Sequence, residues 1–247
     1  MKRGIFLVIV GLTTIFAFGQ KVKNLSVSDF NGIDASYAFE ITVKKGSTEA
    51  LTIEANDDVM PYVRSEVKNG ILYLYLEKDI PNSVRNKTVN ATVIMKDLEK
   101  VSLSGACKIK ANDLFTPKTF NASCSGASSI AINVNTGKLS IKASGTSELQ
   151  INASVTDDTK MNLSGSSNVD LIGSAKSLSL DMSGSSNFKA GDFITETSTI
   201  KSSGSSKVLV NVTKTLNISS SGSSAVDYKG SPSVSVNSSG WSKVKKI

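Results

Sequence analysis

The sequence predicts an all-β chain: a single-stranded β-solenoid of about eight rungs, ~20 residues each, behind an N-terminal β-rich cap. Three observations carry this. The hexapeptide SGSSNV at 164–169 returns as SGSSNF at 183–188, SGSSKV at 203–208 and SGSSAV at 221–226, with looser copies SGACKI, SGASSI, SGTSEL and SGWSKV beginning at 104, 125, 144 and 239. The glycines of these eight copies recur at intervals of 18 to 21 residues, the mark of a repeat architecture. Around each glycine the apolar residues alternate, as in Leu139, Ile141 and Ala143 before Gly145 and Leu149, Ile151 and Ala153 after it. A period of two means strand. One strand–corner–strand unit cannot bury its apolar face, but stacked on its neighbours it can.

The elements follow in chain order. Lys2 and Arg3 precede an apolar run from Ile5 to Phe16, and Ala17-Phe18-Gly19 supplies small residues before Gln20. Residues 1–19 therefore read as a secretory signal peptide. The run is shorter than the ~20 residues a membrane anchor needs, and no later stretch of the mature chain is apolar enough to span a bilayer. The destination is the periplasm, the outer surface or the medium.

Residues 20–98 form the cap and first coils. Phe39-Glu40-Ile41-Thr42-Val43 and Leu51-Thr52-Ile53-Glu54-Ala55 alternate, and Asn69-Gly70 before Ile71–Leu76 is a hairpin signal. Val89–Met95 leads towards the first regular rung. Residues 99–247 are the regular solenoid, and its last rung carries Lys243, Lys245 and Lys246, charges that discourage edge-to-edge pairing.

Within each corner, parity places both the glycine and the residue two later inside. That second position reads Cys107, Ser128, Ser147, Ser167, Ser186, Ser206, Ser224 and Ser242, all small enough for a narrow bend. The SG ladder is thus a corner, repeated because the coil repeats. Cys107 and Cys124 are the only cysteines. Export would permit a disulfide, but they fall on successive rungs in different columns, and a bridge needs Cα atoms within ~7 Å. Two free core thiols are the preferred reading.

The stretch FNGIDASYAFEITVKKGSTEALTIEANDDVMPYV, then VKNGILYLYL and the SG-x-S repeats, resembles the auto-transporter adhesin, head GIN domain family of Bacteroidetes-type envelope proteins. The resemblance runs from about Val27 to Val244. It implies a right-handed β-helix and an adhesin-like binding or scaffold role at the cell envelope, and it brings no catalytic residues. True autotransporters end in a membrane barrel, which nothing in this sequence provides.

Chemistry finds little support. The chain has no histidine, so the commonest general base and metal ligand is missing and a Ser-His triad is excluded. SGSS is not the Gly-x-Ser-x-Gly elbow, and no cofactor or metal motif occurs. The competing reading is a glycan hydrolase or lyase built on a β-helix, which requires converging carboxylates. Glu148 and Asp170 lie on adjacent rungs but in different columns, and Asp181 and Asp227 are the other outward acids near corners. The 28 basic residues, less Lys2 and Arg3, against 21 acidic ones leave the mature chain at +5. The lysines are scattered, and no aromatic stacking platform accompanies them, so nucleic acid is not a partner.

The outward columns remain. One place after each glycine stand Ala106, Ala127, Thr146, Ser166, Ser185, Ser205, Ser223 and Trp241. Ser166, Ser185, Ser205, Ser223 and Trp241 are the candidate ligand-facing residues, with glycan or an envelope protein as the partner. A hydroxyl row also keeps a long sheet soluble, and solubility is its favoured role.

Overall fold

The computed structural model describes residues 20–247 apart from Asn86. The signal peptide assigned to 1–19 lies outside the described residues. Among the described residues, twenty strands build one β-solenoid and its N-terminal cover. They are β1 (Gln20–Leu25), β2 (Gly32–Tyr37), β3 (Phe39–Lys45), β4 (Ala50–Asn56), β5 (Val63–Lys68), β6 (Ile71–Leu76) and β7 (Val89–Met95). The regular part comprises β8 (Lys100–Gly105), β9 (Lys108–Phe115), β10 (Thr119–Cys124), β11 (Ser129–Thr136), β12 (Lys138–Ala143), β13 (Glu148–Val155) and β14 (Asp158–Leu163). It continues with β15 (Asn168–Met182), β16 (Asn187–Ser202), β17 (Lys207–Ser220), β18 (Ala225–Lys229), β19 (Ser233–Ser238) and β20 (Lys243–Lys246).

Each rung contributes one strand before its glycine and one after. The strands before the glycine stack in parallel as β2, β8, β10, β12, β14, the second halves of β15, β16 and β17, and β19. Those after it stack as β3, β9, β11, β13, the first halves of β15, β16 and β17, then β18 and β20. Corners at Gly105 through Gly240 span seven full turns.

Alternate side chains point inward along both sheets, as the period-two pattern predicts. The residues four places after each glycine form one continuous column: Ile109, Ile130, Leu149, Val169, Phe188, Val208, Val226 and Val244. All but Val244 are buried, and each fully buried aliphatic contributes roughly 1.5–3 kcal/mol.

The corner corrects one expectation. The residue two after the glycine is buried at every corner but the last, where Ser242 is half-buried, but the glycines themselves lie at the surface. Each takes φ between 72° and 79°, and this left-handed kink breaks the alternation at the bend. A Cβ on these glycines would point along the stack, not inward: on Gly165 it would lie 2.6 Å from the carbonyl oxygen of Gly145. These serines close the bend. Ser167 Oγ donates to the Ser164 carbonyl at 2.9 Å, and Ser128, Ser147, Ser186, Ser206, Ser224 and Ser242 repeat that bond at 2.8–3.2 Å. A buried hydroxyl with a partner is tolerated where an unpaired one is costly, which explains why serine and not alanine fills the column.

The N-terminal end is built differently. β2 and β3 already form a rung beneath β8 and β9, with Tyr37 opposite Gly105. On one face β7 pairs parallel with β3, β4 runs antiparallel to β7, and β1 antiparallel to β4. On the other, β6 pairs with β2 and the hairpin strand β5 closes the edge. Asn69 and Gly70 both take positive φ in that hairpin turn, the conformation the Asn-Gly pair favours. Val59, Met60, Ile80 and Val84 join the core from the loops of this end. The other end has no such cover. Val234 and Val236 on β19 are 37% and 46% exposed, and Lys243, Lys245 and Lys246 on β20 face solvent.

Candidate functional site

Stacking uses up the inward residues, so any site must be made of outward columns. Two concavities run across them. The first, of about 610 Å³, lies on the outer face of the strands that follow the glycine. One wall is the register column Lys110, Ala131, Gln150, Asp170, Lys189 and Leu209, one residue from each of six successive rungs. Beside it runs Leu114, Asn133, Asn152, Ile172 and Asp192.

Bulges produce the hollow. The register shifts between Ile132 and Asn133, between Asp170 and Ile172, and between Ala190 and Ile194, so several strands bend in the same region. A bulge bends its strand and re-aims the side chains beside it. The bulge after Ala190 turns Ile194 outward, 50% exposed, while Ile172 faces outward by the ordinary alternation of its strand and is 53% exposed. Lys189 pairs with Asp170 at 3.6 Å and Lys229 with Asp192 at 3.7 Å. Asn133 Nδ2 donates to the Asn112 carbonyl at 2.8 Å.

The second concavity, of about 470 Å³, lies outside the strands that precede the glycine and is lined by Ser104, Ser125, Ser144, Ser164 and Ser183 with Lys142, Asn162 and Asp181. Its serines are partly engaged: Ser125, Ser144 and Ser164 hydroxyls donate at 3.4 Å to carbonyls of the preceding rung.

Ser166, Ser185, Ser205, Ser223 and Trp241 stand on neither groove. They form an exposed ridge along the corners, each backbone N–H donating at 2.8 Å to the glycine carbonyl of the previous rung. Trp241, at the last corner, is 84% exposed. The first groove was missed because it lies where the register is shifted by bulges, which leave no fixed mark in the repeat; the second follows strands in unbroken register.

Glu148 sits opposite Asn168, and Asp170 opposite Gln150. The two carboxylates are therefore offset by two residues along the strands, and Asp170 is tied to Lys189. Among the described residues, no three His, Cys, Asp or Glu side chains cluster as metal ligands, and no helix is long and apolar enough to cross a membrane.

Both cysteines are buried and free. Burial raises the Cys107 thiol, with Asp34 adding to the effect while bonds from the Phe39 and Ser104 backbone oppose it. Burial, with a smaller contribution from Cys107, pushes Cys124 up from 9.0 to about 12. An unfolded thiol thus loses its proton near pH 9 while the folded Cys124 keeps it. Stability is complete below pH 9 and falls above it, by up to about 1.4 kcal/mol per pH unit towards pH 12. Denaturation midpoints measured from pH 8 to 11 should show this fall, and Cys124→Ala should flatten it. An unchanged slope in the variant would remove Cys124 as the cause.

A family model described as "Putative auto-transporter adhesin, head GIN domain" matches residues 29–232. The chain belongs to this family. Solved structures similar to this head GIN domain protein include a putative adhesin from Parabacteroides merdae, 19% identical over 94% of this chain and 97% of that one, with a TM-score of 0.82. A putative adhesin from Parabacteroides distasonis is 20% identical over 92% and 97%, with a TM-score of 0.83. A protein of the same species described as a putative lipid binding protein is 20% identical over 94% and 98%, with a TM-score of 0.79. At these identities the likeness is one of fold. No curated protein matches the chain. The family description supports a binding role for a head GIN domain protein.

Proposed function

We propose that this protein is exported and acts without catalysis, as an adhesin-like binder or scaffold at the bacterial cell envelope. The observation that supports this best is the division of labour in the repeat. Inward and corner residues serve stacking, while the outward columns form long regular surfaces with two open grooves, on one of which Asp170 is tied to Lys189. The family description agrees with such a role. Three surfaces are available: the groove beside Ile172, the serine-lined groove before the glycines, and the ridge of Ser166, Ser185, Ser205, Ser223 and Trp241. On the ridge the serines chiefly keep the stack soluble, and Trp241 offers the one large contact.

The test is a binding screen of residues 20–247 against bacterial and host glycans and envelope proteins, with product analysis of every hit. Saturable binding of an intact ligand is expected. A cleaved glycan would replace this reading with the enzymatic one, and the absence of any glycan or protein ligand would overturn the binding role.

A further inference from the structure

We infer that the groove beside Ile172 binds one neutral, linear polysaccharide, laid along the solenoid axis and across the strands. The inference rests on the binding role proposed above and assigns it a surface and a ligand class. Shape is the first ground. From Lys110 to Lys229 the groove crosses seven successive rungs. At the ~4.8 Å spacing of paired strands, this is a length of about 29 Å. A volume of 610 Å³ drawn out over that length is a narrow trough, suited to a single extended chain and too slim for a globular ligand.

The lining selects among extended chains. Asn112, Asn133, Gln150 and Asn152 place amides, groups that carry donors and an acceptor, on three successive rungs. A chain of hydroxyls can answer both. Ile172 and Leu209 supply aliphatic surface for the C–H faces of sugar rings. A peptide added as a strand would need free backbone groups, whereas the strands of the groove floor are paired on both sides by neighbouring rungs. An acyl chain would need a continuous apolar floor, which Gln150, Asp170 and Lys189 interrupt. A dense polyanion would need a row of unpaired cations, but Lys189 and Lys229 are held by Asp170 and Asp192, and Lys110 stands alone at one end of the groove.

Calorimetric titration of residues 20–247 with cello- and chito-oligosaccharides, from disaccharide to hexasaccharide, tests this directly. Affinity for one of the two series should rise about tenfold or more with length, because each further rung adds its own contacts. The outward double variant Gln150→Ala with Asn152→Leu should weaken the hexasaccharide about tenfold and leave the unfolding midpoint near that of the parent. Equal affinity for short and long oligomers would overturn the axial groove. So would loss of binding with Trp241→Ala alone, or a preference for oligogalacturonates that collapses with salt. Binding to an envelope protein but to no oligosaccharide would overturn the groove assignment and leave the binding role standing. Failure to bind either would overturn both.

Discussion

Gly184→Ala should destabilise the protein by about 2–4 kcal/mol, far beyond the effect of Ser185→Ala at the next position. Gly184 has φ 79°, in the left-handed region that costs an L-residue with a side chain ~1–2 kcal/mol. The added methyl would also lie 2.5 Å from the Gly165 carbonyl oxygen and 3.1 Å from its nitrogen. That carbonyl accepts the Ser185 N–H at 2.8 Å, so moving it aside weakens the bond joining the two rungs at the corner. Ser185 is exposed on the ridge, and losing its hydroxyl should change stability by no more than ~0.5 kcal/mol. Tyr37 supports the argument from the opposite side. It occupies the corner opposite Gly105 with φ 93°, yet the register of β2 with β6 stops at Ala35 and Leu74, so no earlier rung pairs at that corner and a side chain fits. Urea unfolding of the two variants measures the difference. Equal midpoints would mean that the glycine column is not what lets the corners stack.

These two residues also show which parts of the fold were legible in the sequence. The period of the glycines and the alternation around them place almost every inward residue, because one rung's geometry is imposed on the next. The direction of the glycine's missing Cβ was not legible. Alternation counts residues along a strand and carries no record of a left-handed kink that turns the chain within one residue. Tyr37 likewise hid a rung, since β2 and β3 stack like the others without the glycine that marks them. The candidate site was less legible still. Ser166, Ser185, Ser205, Ser223 and Trp241 do face solvent, as the pattern requires, but the hollow beside Ile172 arises from bulges at different points of different rungs. A bulge inserts a residue, which in the sequence looks only like slack in the spacing, such as the 18- to 21-residue variation between glycines.

The other large effect is expected in the core, from Phe188→Ala. Phe188 is fully buried and stands in its column between Val169 and Val208. Neither valine can reach across the space a phenyl ring leaves, and the paired backbones of β15, β16 and β17 hold the rungs apart, so the cavity cannot close. Phe→Ala substitutions in such sites cost about 3–5 kcal/mol, while Phe188→Leu should cost much less because it keeps most of the volume. The damage should also be directional. In a solenoid each rung is stabilised by its two neighbours. The rungs before Phe188 are anchored by the strands β1 to β7 and the residues packed under them, whereas those after it end in β19, with Val234 and Val236 partly exposed. Weakening the contact at Phe188 should therefore free the C-terminal rungs first. Hydrogen exchange in the variant should show lost protection in residues 189–247 at denaturant concentrations where 32–163 stay protected. Simultaneous loss on both sides would mean that the solenoid opens as a single cooperative unit and that its open end is not its weak one.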